Sequence, residues 1–251
     1  MKPQHKKILL TILIIGFLFY IDPVYAGPGG TIAKGLFKTW WGKLILFALF
    51  IVLFPLIVYT YTVEFFAIKK SKKQLNQLGL RNKDFMWLNL EKNVKNIFTR
   101  VYLAWEREDM AEVSEYVNHW YRQNQQAVYL DKWKQENLKN VCKLDKINSI
   151  KPLYIEITND ENLEGSKIAF VITATIKDYL KDRTTNQIVE GKNEFGDEEK
   201  IWILEYTNGK WLLDDIREGK FSLAFAKLKN VVPELQLNQG VTIKEMFNNH
   251  T

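Results

Sequence analysis

A stretch of twenty uncharged residues, from Leu44 to Val63, is the feature that most constrains this 251-residue chain. As a helix rising about 1.5 Å per residue it would be roughly 30 Å long, which matches the hydrocarbon thickness of a bilayer. The alternative is the central helix of a soluble core, but such a helix does not need to be apolar on every face. Membrane helices also tolerate a proline such as Pro55. The stretch predicts a transmembrane helix over residues 44–68.

The first 26 residues have the pattern of a secretory signal. Three lysines, Lys2, Lys6 and Lys7, precede a fourteen-residue apolar run from Ile8 to Ile21, and small residues follow at Val24 and Ala26. We expect a signal peptide over residues 1–26, cut between Ala26 and Gly27. The alternative is an uncleaved first membrane helix, although fourteen residues is short for a span.

Lysines on either side of the predicted span set its expected orientation. A basic cluster, Lys69, Lys70, Lys72 and Lys73, follows the span and is predicted to lie inside as a juxtamembrane linker over residues 69–83. Residues 27–43 are then expected to form a short outer segment, with Trp40 and Trp41 at the membrane surface. Everything after Lys73 is expected to be cytoplasmic.

The positive charge of the chain belongs to this anchor. Residues 1–73 carry 10 lysines and arginines against 2 acidic residues, whereas residues 74–251 carry 25 against 27. A nucleic-acid-binding domain would need a clustered positive face on its folded part, so nucleic acid is not an expected partner. Cys142 is the single cysteine, which excludes an intramolecular disulfide, and we interpret it as a small buried residue.

The remaining residues suffice for one domain, with helices first and strands after them. A three-to-four-residue period predicts an amphipathic helix, with apolar positions at Leu90, Val94, Ile97, Phe98, Val101 and Trp105. A polar connector is expected between Gln74 and Asn82. Asp109 and Glu112 have the spacing of a capping box, and an apolar stripe follows at Met110, Val113, Val117, Trp120 and Tyr121. A third helical stretch is expected to end near Leu144.

Strands are predicted from about Ser149 onward. Alternating apolar residues occur at Leu153, Ile155 and Ile157, and again at Ile168, Phe170, Ile172, Ala174 and Ile176. Asn208-Gly209 predicts a tight hairpin between residues 200–207 and 210–216. A short closing helix is expected over residues 221–229, and the acidic run at 197–199 is interpreted as a solvated loop.

This order of elements predicts an α+β domain in which helices cover one face of a curved antiparallel sheet and leave an apolar cone. Six aromatic residues are the candidates for the pocket lining: Trp105, Trp120, Tyr121, Phe170, Trp202 and Trp211. The alternative is that these aromatic residues only fill a core.

The domain resembles the Tim forty-four-like family, the domain of the peripheral subunit of the mitochondrial inner-membrane import translocase and of its bacterial relatives. The resemblance covers roughly Asp84 to Lys229 and depends on the order of several short pieces: Tyr102, Ala104-Trp105 and Asp109-Met110, then Lys177-Asp178-Tyr179, Val189-Glu190-Gly191, Ile201-Trp202 and Gly209-Lys210-Trp211-Leu212. It implies a cystatin-like or nuclear-transport-factor-like cone over residues 84–230, followed by a tail over 231–251. It also implies a bacterial inner-membrane location and a role in membrane and protein interaction.

An enzyme would need convergent polar groups, and the sequence offers few. No histidine, cysteine and carboxylate spacing suits a metal, and neither a phosphate-binding loop nor a nucleophilic serine elbow is present. A general acid-base set could be assembled only from His119, Tyr121, Asp178 and Tyr179. We therefore expect no cofactor, metal or catalytic residue.

The leading hypothesis is a membrane-anchored adaptor whose cytoplasmic domain binds a protein segment or a lipid through an apolar pocket. Its expected partners are membrane lipids and an unidentified protein. The alternative is an acid-base enzyme or small-molecule carrier on the same fold.

Replacing Lys69, Lys70, Lys72 and Lys73 together with glutamine is expected to loosen or invert the topology, because these charges hold the helix end inside. Alkaline phosphatase fused after Thr251 should be inactive on the unmodified chain and gain activity on the variant. An active phosphatase on the unmodified chain would reverse the predicted orientation.

Overall fold

A computed structural model describes residues 39–233. The predicted signal peptide over 1–26, most of the outer segment 27–43 and most of the tail 231–251 lie outside the described residues. The chain divides into two compact units, Met1–Tyr61 and Thr62–Thr251. Helix α1, Trp40–Gly79, begins in the first unit and ends in the second. Among the described residues it is the one helix long and apolar enough to cross a membrane.

In the first unit, α1 presents its apolar side chains outward. The helix begins at Trp40, where the Thr39 hydroxyl accepts a hydrogen bond from the amide of Gly42 at 3.1 Å. Pro55 lies inside the helix without ending it. Val52 is 71% exposed, and the most apolar eighteen-residue window of α1 contains no buried residue. An apolar surface of this size is compatible with a membrane span.

In the second unit, α1 continues further than the sequence indicated. The connector predicted from Gln74 to Asn82 is wrong for most of its length, since the helix ends only at Gly79. It continues because Leu75 and Leu78 are fully buried in the core of this unit. At Gly79 the helix meets Met86 so closely that an added Cβ would lie 2.7 Å from the Met86 Cα.

The predicted amphipathic helix is confirmed as α2, Trp87–Arg107, and its apolar stripe is buried. The segment after it is less regular than expected. A 3-10 turn at Met110–Val113, helix α3 at His119–Asn124, a π-helical turn at Gln125–Leu130 and helix α4 at Asp131–Gln135 follow in order. Asp109 does cap the first of these through the Ala111 amide, but Glu112 pairs with Arg107 and closes no capping box.

Five antiparallel strands follow: β1 Leu138–Glu156, β2 Lys167–Asp182, β3 Ile188–Gly191, β4 Gly196–Thr207 and β5 Lys210–Glu218. The sheet has the order β1-β2-β4-β5, and β3 pairs with the far end of β2. A 3-10 turn at Gly219–Phe221 and helix α5 at Ser222–Lys227 confirm the predicted closing helix. The described part of the chain therefore forms an α+β fold, as predicted.

The prediction of a third helical stretch that ends near Leu144 is wrong. Residues from Leu138 onward belong to β1, where Leu138 pairs with Asp182, and a register shift follows Leu144. Polar and charged residues alternate irregularly in this part of the chain, so its strand conformation comes from pairing with β2, which lies far along the sequence.

Strand β2 is buried on both faces along its first half. The predicted stripe from Ile168 to Ile176 is confirmed, and these side chains face the helices in the main core. On the other face, Val171 belongs to a second cluster with Leu153 and Ala226, and Ala67 and Ile68 of α1 and Phe225 pack against this cluster. The end of α1 is therefore a structural part of the domain.

The hairpin at Asn208-Gly209 is confirmed, with φ angles of 51° and 72° at these two residues. We expect Gly209→Ala to lower the free energy of unfolding by about 1 kcal/mol, because a Cβ disfavours this left-handed conformation. Gly196→Ala is the matched control, since a Cβ at Gly196 would meet no atom within 4 Å. Equal urea midpoints for the two variants would contradict the prediction.

Candidate ligand-binding pocket

A cavity of about 480 Å³ lies between the helices and the helix-facing side of the sheet. One wall comes from α2, α3, the π-helical turn and α4, and the other from β1 to β5. The lining residues are Tyr102, Trp105, Tyr121, Gln125, Tyr129, Leu130, Trp133, Asn140, Cys142, Asp178, Glu190, Glu198, Lys200, Trp202, Ile216 and Glu218. The pocket combines aromatic rings with carboxylates.

The aromatic part of the lining is centred on Trp202 of β4. Its ring centroid lies 6.2 Å from that of Tyr102 and 6.2 Å from that of Trp105, and the latter two rings meet edge to face at 5.2 Å. On the opposite wall Tyr129 and Trp133 lie 5.8 Å apart. These contacts hold several ring faces in fixed orientations around the cavity.

The polar part of the lining carries four carboxylates and one ammonium. The Lys200 ammonium lies 3.1 Å from a Glu218 oxygen and 3.7 Å from a Glu198 oxygen, so it is already paired twice. The carboxylates of Asp178 and Glu190 have no hydrogen bond or ion pair within residues 39–233. The pocket is therefore negatively charged at neutral pH.

The pKa values of four lining groups are raised, those of Asp178, Tyr102, Tyr121 and Cys142, and burial is the first cause in each. Burial, then the neighbouring Glu198, raises the pKa of Asp178 above its ordinary value, although solvent still reaches the carboxyl. Burial also raises the pKa of Tyr102, with Cys142 and Asp178 adding to the shift. Cys142 is buried, as predicted for a small interior residue. Burial raises the pKa of its thiol, so it is not a reactive thiolate.

Two local features position the polar lining residues: the hydrogen bonds of Glu108 and the close backbone approach at Gly191. Glu108, in a left-handed conformation just after α2, accepts hydrogen bonds from the Asn140 amide at 3.0 Å and from Arg183 at 2.5 Å. This ties the end of α2 to the far ends of β1 and β2. Gly191 ends β3 at φ 81°, and a Cβ there would lie 2.5 Å from the Asp178 carbonyl oxygen. The close approach brings Glu190 beside Asp178.

The six predicted lining residues separate into three groups. Trp105, Tyr121 and Trp202 line the cavity. Phe170 and Trp211 lie in the core instead, at 0% and 2% exposure. Core packing accounts for these last two, since both belong to the main core cluster and the Trp211 ring meets the Phe85 ring edge to face at 4.9 Å.

Trp120 is 53% exposed and does not line the cavity. Its indole nitrogen donates to Asp214 at 3.2 Å, and Asp214 also accepts from Asn118 and Lys167. Burial alone would raise the pKa of Asp214, but these donors more than offset it and lower the pKa below its ordinary value. Trp120 therefore helps to stabilise the buried carboxylate of Asp214 on the edge strand of the sheet.

Of the possible acid-base set, the structure brings Tyr121 and Asp178 into the same cavity. His119 is exposed and contacts Arg122, and Tyr179 points to the other face of β2. No group of histidine, cysteine and carboxylate side chains in the described range could hold a metal ion.

Sequence periodicity could have found several lining residues that were missed. Strand alternation places Glu198 and Lys200 on the same face as Trp202. The prediction that the acidic run at 197–199 is a loop is therefore wrong, because these residues form the start of β4. Helical spacing likewise relates Tyr102 to Trp105 and Tyr129 to Trp133. The π-helical turn that presents Gln125 and Leu130 has no comparable signal.

The predicted membrane-surface residues lie along α1. Trp40 and Trp41 are 64% and 70% exposed at its start. Lys69, Lys70 and Lys73 are exposed near its end, whereas the Lys72 ammonium lies 4.3 Å above the Trp87 ring. Three of the four lysines thus present free surface.

No family model matches this chain, and no curated protein matches it. Among solved structures, the chain is similar to the crystal structure of the intermembrane space region of the chloroplast protein ARC6. The TM-score is 0.36 and the sequence identity 8%, over 50% of this chain and 92% of that one. The resemblance to the Tim forty-four-like family stays a prediction.

We expect Asp178→Asn to raise the free energy of unfolding at neutral pH by up to about 1 kcal/mol, because solvent screens part of the penalty of ionising this carboxyl. A carboxyl whose pKa is raised in the folded state destabilises that state above the raised pKa. The gain should therefore vanish as the pH falls through that value to about 4. Urea unfolding at several pH values measures it, and a variant less stable than the parent at neutral pH would contradict it.

Proposed function

We propose that the chain is a membrane-anchored adaptor, in which α1 tethers an α+β domain and the aromatic pocket of that domain binds a segment of a partner protein. The observation that carries the proposal is the continuity of α1. Most of its uncharged part, Leu44 to Val63, is exposed, while its last turns contribute Leu75 and Leu78 to the domain core. A span joined to the domain through one helix is a direct tether.

The exposed part of α1 supports the anchoring half of the proposal. A soluble protein rarely leaves so many large apolar side chains uncovered on one helix. Trp40 and Trp41 at its start and the lysines from Lys69 to Lys73 near its end are the residue types that lie at lipid headgroups. We propose that the membrane is a bacterial inner membrane with the domain on its cytoplasmic side.

The pocket supports the binding half of the proposal. Its volume and fixed aromatic walls suit the holding of a side chain or short segment, and anchoring raises the effective concentration of the domain at the membrane. The helices on one face of an antiparallel sheet, with a cavity between the two, also support the cone-shaped fold that the family resemblance implies.

One observation favours a second candidate function. Tyr121 and Asp178 share the cavity, and Asp178 has a raised pKa, which is the property of a general acid or base. The alternative is an acid-base enzyme or small-molecule carrier. Mass spectrometry of material bound to the purified chain separates the two, because a metabolite altered on incubation would favour the enzyme.

The anchor can be tested by washing membranes with alkaline carbonate. The unmodified chain should stay in the membrane pellet, and Val52→Lys with Leu56→Lys should release much of it, since each lysine at a helix centre costs about 3 kcal/mol of insertion free energy. Leu103→Lys with Val128→Lys is the matched control on the exposed surface of the domain. Release of the unmodified chain would refute anchoring.

The adaptor role can be tested with a photo-crosslinking residue in intact membranes. Placed at Tyr129, which lines the pocket and is 42% exposed, it should join the chain to one discrete protein. The same residue at Leu228, which is 51% exposed and outside the pocket lining, should not. A lipid adduct at Tyr129 without any protein adduct would overturn the protein-binding role.

A further inference from the structure

The pocket combines two features that recognise the same kind of chemistry. Six aromatic residues line it: Tyr102, Trp105, Tyr121, Tyr129, Trp133 and Trp202. Four carboxylates lie around them, with Lys200 as the one lining cation. Aromatic ring faces and carboxylates both attract positive charge, and an organic cation that enters such a site keeps its apolar part in contact with the rings.

Several oxygen atoms that face the cavity are free to accept hydrogen bonds from a ligand. Lys200 is held by Glu198 and Glu218, whereas the carboxylates of Asp178 and Glu190 have no partner within residues 39–233. Tyr102 and Tyr121 are only 6% and 5% exposed, and within the same range their hydroxyls make no hydrogen bond. Within the described residues, the fully buried side-chain atom without a partner is the Trp202 indole nitrogen, so the two hydroxyl oxygens still reach solvent and are available to a ligand.

The geometry points to a lysine or arginine side chain of a partner segment as the occupant: we propose that the cation enters between Tyr102, Tyr129 and Trp202 and is met by Asp178. This inference rests on the proposed adaptor function and names the chemistry of its partner.

The distribution of the carboxylates favours a peptide over a small amine. All four residues, Asp178, Glu190, Glu198 and Glu218, are exposed. Asp178 and Glu198 both lie near the aromatic wall, since the charges of both act on the Tyr102 hydroxyl. A single small cation would leave some of these four carboxylates without a new partner. A segment with several basic residues can place one side chain in the cavity and others against the outer carboxylates.

Burial of the cation would also relieve an unfavourable arrangement in the empty pocket. Burial, and then the negative charges of Glu198 and Glu190, raise the pKa of Asp178, so its charge is disfavoured in the empty pocket. A bound guanidinium or ammonium replaces this repulsion with attraction, and a guanidinium can engage a carboxylate through two parallel hydrogen bonds.

Fluorescence anisotropy with the full chain in an uncharged maltoside detergent tests the proposal. The probe is a fluorescein-labelled peptide in which arginines alternate with leucines, and the comparison peptide carries citrulline at every arginine position. Citrulline keeps the shape and loses the charge. We expect the arginine peptide to bind at least about tenfold more tightly. Equal binding of the two peptides, or binding of neither, would overturn the proposal.

Variants then assign the binding to this pocket. Asp178→Asn and Glu190→Gln should each weaken the arginine peptide about tenfold, and Tyr129→Leu should weaken it several-fold by removing a ring face. Asp145→Asn is the matched control, because it removes the same charge from an exposed position of β1 outside the pocket. Equal losses in Asp145→Asn and Asp178→Asn would indicate nonspecific attraction and overturn the assignment.

Two further readings separate this inference from the proposed function. Tighter binding of choline than of the arginine peptide would replace the basic segment with a small organic cation. If the citrulline and arginine peptides bind equally but the crosslink at Tyr129 still captures one protein, the adaptor function is supported. The proposed recognition of a cationic side chain is then refuted. Since Asp178→Asn is expected to be more stable than the parent, lost binding in that variant cannot be attributed to unfolding.

Discussion

The contact between α2 and Trp202 is the interaction on which the domain depends. Phe98, Tyr102 and Trp105 project from successive turns of the helix onto the Trp202 ring, and the Phe98 and Trp202 centroids are 4.5 Å apart. Trp202 is 1% exposed, and its burial against these rings removes a large apolar area from water. The same contact closes the core on one side and forms a wall of the pocket on the other.

The pocket arises where an apolar face of the sheet becomes polar. Along β2, the helix-facing positions are buried as far as Ile176, and the next position on that face is Asp178. Along β4 the change occurs between Trp202 and Lys200. Helices cannot pack closely on carboxylates, because desolvating unpaired charges is costly, so the layers separate there. The aromatic residues of the two walls keep the cavity defined.

Elements that depend on local pattern were predictable. The period of α2, the alternation of β2 and the Asn208-Gly209 turn each have a physical cause within a few neighbouring residues. The start of β1 was not predictable from local pattern, because pairing with distant residues of β2 imposes the strand conformation of Leu138 to Leu144. Periodicity identified Trp105, Tyr121 and Trp202 as aromatic positions of interest but did not separate them from Phe170, Trp211 and Trp120.

The sequence by itself determined the apolar helix and the α+β order of the domain, since both follow from hydrophobic length and period. Only the tertiary structure decided which aromatic side chains meet a cavity and which carboxylates join them. From the sequence, Asp178 was only one member of a possible acid-base set near the end of a strand. It becomes a pocket residue because chain folding brings α2, the π-helical turn and β4 around it, and such long-range proximity has no local signal.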